Sequence, residues 1–174
     1  MNEAVLAIPT TAQRSSLYAN YAALFRYPNA DGVVHPDQPD GPEYLRAFET
    51  SVYEDACSLH ETCHSGTEQA ALYEDLIRFY SYFGLRRLED SEFPDHLSLE
   101  LEFMHFLTYL EEQAVRRGEA TRDLRKAQQD FLKKHVSLVS RSLLKKYQGD
   151  NEYYRALIRD FHEYIETEIQ ELKE

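Results

Sequence analysis

The chain has 174 residues, with 19 Lys plus Arg against 31 Asp plus Glu, a formal charge of −12. That balance disfavours nucleic acid and anionic lipid as partners, because both reward clustered basic residues, and it favours a basic partner. At 43% hydrophobic and 13% aromatic the chain is too apolar to be disordered, and its length suits one domain that buries about two-thirds of its unfolded surface.

Helical periodicity runs throughout, and no alternating β-branched run bounded by turn residues occurs. The expected fold class is therefore all-α, a single-domain helical bundle of about six helices covering 1–174. A first helix starts near Thr10 or Thr11, carries Leu17, Tyr21, Leu24 and Phe25 on one face, and stops before Pro28. Residues 28–42 hold Pro28, Pro36, Pro39 and Pro42 among glycines and aspartates, which predicts a loop within the domain. The second helix has Pro42 near its start and runs through Leu45, Phe48, Val52, Ala56 and Leu59 to Ser65-Gly66. Cys57 and Cys63 would then lie about 240° apart around one helix axis and could not easily bridge. A third helix follows Thr67, turns Leu72, Leu76, Phe79, Tyr80 and Phe83 inward, and ends at Gly84.

The fourth helix, about Leu97 to Arg117 and closed by Gly118, is apolar on two opposite faces. Leu97, Leu101, Met104 and Thr108 make one face; Leu99, Phe103, Phe106 and Leu110 make the other. That pattern predicts a buried central helix with Glu102, His105 and Tyr109 on its polar flank. A fifth helical segment spans about Glu119 to Tyr147. A sixth follows the capping candidates Asp150 and Asn151 and buries Tyr154, Leu157, Ile158, Phe161, Ile165 and Ile169. No run is long and apolar enough to predict membrane insertion, and the N-terminus has no basic stretch before its short apolar run, so a cytoplasmic protein is expected.

Three groups carry possible chemistry. His60-Glu61-Thr62-Cys63-His64 spells HExxH, a zinc-peptidase pattern, but Ser65-Gly66 ends the helix at once. The pairs Glu61 with His64 and Glu102 with His105 match half of a di-iron bundle, which needs two further inward glutamates. Asp95, after Pro94 at the mouth of the central helix, is placed to cap that helix, and His96 beside a carboxylate is expected to have a raised pKa.

Glu92-Phe93-Pro94-Asp95-His96, followed by Leu97-Ser98-Leu99-Glu100-Leu101-Glu102-Phe103-Met104, resembles the E-x-P-D-H-like signature and LxxELEFM-like helix of the TorD, DmsD and NarJ group of redox-enzyme maturation chaperones. Tyr18, Tyr21, Leu24, Phe25, Tyr27 and Pro28 are similar to that family's opening helix and proline turn. Ala127-Gln128, Phe131-Leu132 and His135 are similar to its AQxxFLxxH helix. The likeness spans about Arg14 to Leu143, and residues 24–28 and 82–85 look closest to the branch serving type II dimethyl-sulfoxide-reductase-like enzymes. One departure is the absence of a tryptophan after the motif histidine, where Leu138 stands.

The resemblance implies a non-catalytic cytoplasmic chaperone, monomer or homodimer, with no metal or cofactor of its own. Its partner would be a molybdoenzyme catalytic subunit and that subunit's twin-arginine signal peptide, with export delayed until cofactor insertion. Carried over residue by residue, Glu92, Pro94, Asp95, His96, Glu100 and Glu102 become the candidate client-binding residues, Met104 an inward core residue, and Gln128 and His135 packing residues. Two readings from other classes stand beside it. One is a metal-binding helical protein using His60, Glu61, His64, Glu102 or His105; the other is a generic helical adaptor.

Overall fold

In the computed structural model, residues 9–28, 37–86 and 93–173 are described. Thr10 opens α1 (Thr11–Leu24) with a reciprocal cap: the Gln13 N–H donates to Thr10 Oγ1 and the Thr10 N–H donates to Gln13 Oε1. Its buried face carries Arg14, Ser15, Tyr18 and Ala22, with Tyr21 and Leu24 packed at the edge. Of the predicted 28–42 loop, residues 29–36 lie outside the described residues, and Asp40 at its end caps α2 (Gly41–Phe48) by accepting the Glu43 N–H.

The second helix ends at Phe48 rather than Ser65. Glu49 leaves the helical backbone, and its carboxylate takes the Ser51 N–H and hydroxyl at 3.2 and 2.7 Å, a local alternative to helical hydrogen bonding. The chain then runs through turns into a short extended segment. There the Glu61 N–H donates to the Asp95 carbonyl and the Leu97 N–H to the Leu59 carbonyl, both at 2.9 Å, around one antiparallel bridge between His60 and His96. Cys57 is buried just before that segment and Cys63 is exposed in the one-turn α3 (Thr62–Ser65), so the two free cysteines do not share a helix.

The remaining rods follow the predicted spacing. They are α4 (Gln69–Tyr82), with Leu72 and Leu76 buried; α5 (Leu97–Arg117), stopped by left-handed Gly118; and α8 (Glu152–Glu171), capped by Asn151. The segment between α5 and α8 is one continuous rod made of α6 (Arg122–Phe131), a π turn (Leu132–Val136) and α7 (Ser137–Lys146). The result is seven helical rods in place of the expected six, because the second splits into α2 and α3. All described elements are helical, so the all-α class holds.

The core is one cluster around α5, whose Leu97, Leu101, Met104, Leu107 and Thr108 are wholly buried. On its opposite face Phe103 is buried and Leu110 half-buried, while Leu99 and Phe106 are half-buried because they border a groove. A buried ion network ties four rods together. Arg14 donates to Glu168 at 2.9 Å, to Glu111 at 3.0 Å and to Gln128 Oε1 at 2.7 Å, while Tyr18 Oη donates to Glu168 at 2.9 Å. Among the described residues no helix is long and apolar enough to cross a membrane.

Candidate functional site

Most of the candidate client-binding residues sit where the segment 57–62 meets the start of α5. Glu92 lies outside the described residues. Pro94 is buried, and its carbonyl accepts the Tyr80 hydroxyl at 2.8 Å. Asp95 is wholly buried and does not cap α5. Its carboxylate instead accepts from His60 Nδ1 at 3.1 Å and from the Thr62 N–H and hydroxyl at 3.1 and 2.7 Å, which closes the start of α3. The bridge is the reason: with the Asp95 carbonyl bound to the Glu61 N–H, its side chain meets residues 60–62. Burial pushes the Asp95 carboxyl up, but the hydrogen bonds from His60 and Thr62 outweigh it and hold it down at about 2.

His96 takes the capping role that its neighbour was expected to fill. Its Nδ1 accepts the Ser98 N–H at 3.3 Å and lies 2.8 Å from the Ser98 hydroxyl. The expected rise in its pKa is reversed: burial, reinforced by the nearby His60, lowers the imidazole to about 4. Asp95 pulls the other way and does not win. A neutral ring is also what capping requires, since Nδ1 must keep its lone pair.

Behind this staple lies a second layer. Glu61 is 2% exposed, and its Oε2 pairs with His135 Nδ1 at 2.9 Å. His135 Nε2 stands 3.1 Å from Asp75 Oδ2 without hydrogen-bond geometry, and Lys134 reaches the same Asp75 oxygen at 2.5 Å. The π turn carries both Lys134 and His135, in keeping with the tendency of π turns to occur at functional sites. Glu100 is wholly buried with neither oxygen hydrogen-bonded; burial, then the Glu61 charge, push its carboxyl far above the usual carboxylate range.

The metal-like patterns come apart in space. His60 goes to Asp95, Glu61 to His135, and His64 to the Ser58 carbonyl and the Ser142 hydroxyl. On α5, Glu102 pairs with Arg26, and His105 lies 2.9 Å from Ser15. Among the described residues no group of three or more His, Cys, Asp or Glu is arranged to hold a metal ion. Gln128 and His135, expected only to pack, are instead hydrogen-bonded members of the two buried networks. The AQxxFLxxH likeness pointed to both, but their partners lie too far away in sequence to be read from it.

An apolar groove of about 490 Å³ opens between α4 and α5. Ile77, Tyr80 and Leu85 form one wall; Pro94, Leu99, Phe103 and Phe106 form the other, with Glu102 and Arg86 as its charged residues. Of the candidate residues, Pro94 and Glu102 line this groove, while Asp95, His96 and Glu100 are buried beyond it. A second groove of about 520 Å³ runs between α4 and α6, with Phe79, Phe83, Leu124 and Ala127 among its lining residues. The likenesses at residues 82–85 and at Ala127 touch its lining, but nothing in them marked a groove.

The family of nitrate reductase delta subunits matches residues 41–138, which include the 57–62 segment, the signature, the whole of α5 and the π turn. The chain belongs to this family. Within it, the delta-subunit-family chain is 35% identical over 136 residues to a selenate reductase assembly chaperone protein of Thauera selenatis. It is 32% identical over 136 residues to a chlorate reductase assembly chaperone protein of Ideonella dechloratans, and each match covers 71% of this chain and 70% of the relative. In fold it is similar to the crystal structure of an Archaeoglobus fulgidus protein assigned to redox enzyme maturation. That likeness has a TM-score of 0.52 at 20% identity and covers 95% of this chain and 99% of that one. Family membership thus agrees with the maturation-chaperone resemblance carried by residues 92–104.

Proposed function

We propose that this chain is a non-catalytic, cytoplasmic assembly chaperone for the catalytic subunit of a molybdenum-dependent oxidoreductase. In this reading it binds the subunit's twin-arginine signal peptide in the α4–α5 groove and delays export until the cofactor is inserted. The assembly role is supported by the selenate and chlorate reductase chaperones to which the chain is similar. The observation that carries the peptide reading is the groove itself. Two residues of the signature helix region, Pro94 and Glu102, meet Leu99, Phe103 and Phe106 there, giving an apolar trough with a carboxylate at its edge. A twin-arginine leader is basic and then apolar, which suits such a surface, with main affinity from apolar burial and register from charge.

The test is titration of a labelled twin-arginine leader peptide into the full chain, beside a scrambled peptide and an Ile77→Glu variant. Ile77 is 42% exposed on the groove wall, so a charge there blocks apolar contact without entering the core. Preference for the leader, weakened both by Ile77→Glu and by rising salt, supports the reading. Equal binding of the scrambled peptide, or leader binding indifferent to Ile77→Glu, overturns it.

A further inference from the structure

Arg26 stands just beyond the C-terminus of α1 and reaches across to the carboxylate of Glu102 on the polar flank of α5. Both side chains stay partly in water, 32% and 42% exposed, so the pair lies at the surface at the edge of the α4–α5 groove. Glu102 is the one carboxylate among the described residues lining that groove, and the other full charge there is Arg86. Among the described residues, the acids Asp95, Glu61 and Glu100 offer no substitute: all three are buried, and the first two are already paired. Despite a chain charge of −12, the groove therefore presents no carboxylate free of an internal cation among its described lining.

We infer that Arg26 is an internal stand-in for a ligand guanidinium. It occupies Glu102 while the groove is empty, and an arginine-bearing peptide that lays its apolar stretch along Leu99 and Phe106 displaces it and takes the carboxylate. This rests on the peptide reading above and adds to it a specificity-setting residue outside the signature. The exchange replaces one guanidinium–carboxylate pair by another, so it is close to neutral in charge and the affinity comes from the apolar stretch. What the exchange supplies is discrimination. A ligand guanidinium carries the same planar fork of donors as Arg26 and can engage the carboxylate at two points, whereas a lysine ammonium cannot and leaves Arg26 in place. Because the pair is half-exposed, releasing Arg26 strands no buried charge, and the competition is modest. An exposed pair of this kind corresponds to at most about a fivefold change in affinity.

The experiment measures affinity for a twin-arginine leader peptide and its twin-lysine counterpart on four full-length chains: the parent, Arg26→Gln, Glu102→Gln and the double variant, each with its melting temperature. The expected result is that Arg26→Gln melts like the parent and binds the twin-arginine peptide several-fold tighter, up to about fivefold. Glu102→Gln should bind both peptides alike, and the double variant should match Glu102→Gln. Twin-arginine binding that is unchanged or weaker in Arg26→Gln, with the parent still preferring that leader, overturns the stand-in role and leaves the peptide reading intact. A parent that binds neither peptide overturns the peptide reading itself, and the inference with it.

Discussion

Glu100 should make the folded chain less stable as pH rises, and replacing it by Gln should remove that sensitivity. The side chain is wholly buried, neither oxygen has a hydrogen-bond partner, and burial together with the Glu61 charge pushes its carboxyl well above the ordinary value of 4.5. A carboxyl whose folded pKa is raised contributes its stability below the unfolded pKa and loses it as pH rises. Above about pH 4.5 the unfolded chain releases this proton while the folded chain keeps it, so each further pH unit removes about 1.4 kcal/mol. Glu100→Gln keeps the size and polarity of the neutral acid without the ionisation. Urea denaturation of parent and variant at closely spaced pH values reads the difference directly. The two should be nearly equal at pH 4, with the variant gaining about 1.4 kcal/mol per unit from pH 5 upwards until the folded carboxyl ionises. A difference that stays flat from pH 4.5 to 7 would refute the account of Glu100 as a protonated buried acid.

Asp95 behaves in the opposite sense. Its carboxyl sits at about 2 against an ordinary 3.8, so its stabilisation is present above 3.8 and lost as pH falls towards 2, and Asp95→Ala should cost about 2 kcal/mol at neutral pH, narrowing in acid. His96, lowered to about 4 from 6.5, makes the parent lose stability as pH falls between those values; the denaturation profile of His96→Asn should be flatter there, and an unchanged slope would count against a neutral buried ring. Arg14→Met takes from Glu168, 1% exposed, its only cation among the described residues, leaving it the Tyr18 hydroxyl, while Glu111 keeps Arg125 and Gln128; it should cost about 3–5 kcal/mol by chemical denaturation, whereas an effect below about 1 kcal/mol would mean that water enters to solvate Glu168.

The rods that the sequence made legible are those whose apolar period and caps agree. The central helix was bounded correctly because an unbroken pattern from Leu97 to Arg117 ends in Gly118, and α8 because Asn151 precedes a clean stripe from Tyr154 to Ile169. The second helix was overextended for the same kind of reason. Leu45, Phe48, Val52, Ala56 and Leu59 keep helical spacing, yet Val52 is 56% exposed and Leu59 is buried from a non-helical segment. Spacing cannot register the local bond between Glu49 and Ser51, nor the pairing of that segment with residues 95–97, which is tertiary. The π turn is equally silent, since the one-residue shift at Leu132–Val136 leaves a tolerable apolar period on both sides.

At the candidate site, reading the sequence led to the wrong pairings, because adjacency in the chain made Asp95 look like the cap of the helix that follows it. Its partners lie 33 and 35 residues away at Thr62 and His60. That distance changes what the buried part of the signature can do. Asp95 pins the 57–62 segment against the start of α5, and the next residue back, Pro94, lines the groove and accepts the Tyr80 hydroxyl of the opposite wall. Asp95 is therefore expected to act on a bound peptide through the spacing of the two groove walls, not by touching it, whereas Glu102 stands at the groove edge with its carboxylate partly in water. The two positions differ in how they should fail. Loss of Asp95 loosens the wall and weakens binding of every peptide together with the fold, while loss of Glu102 leaves the fold intact and erases only the preference for arginine.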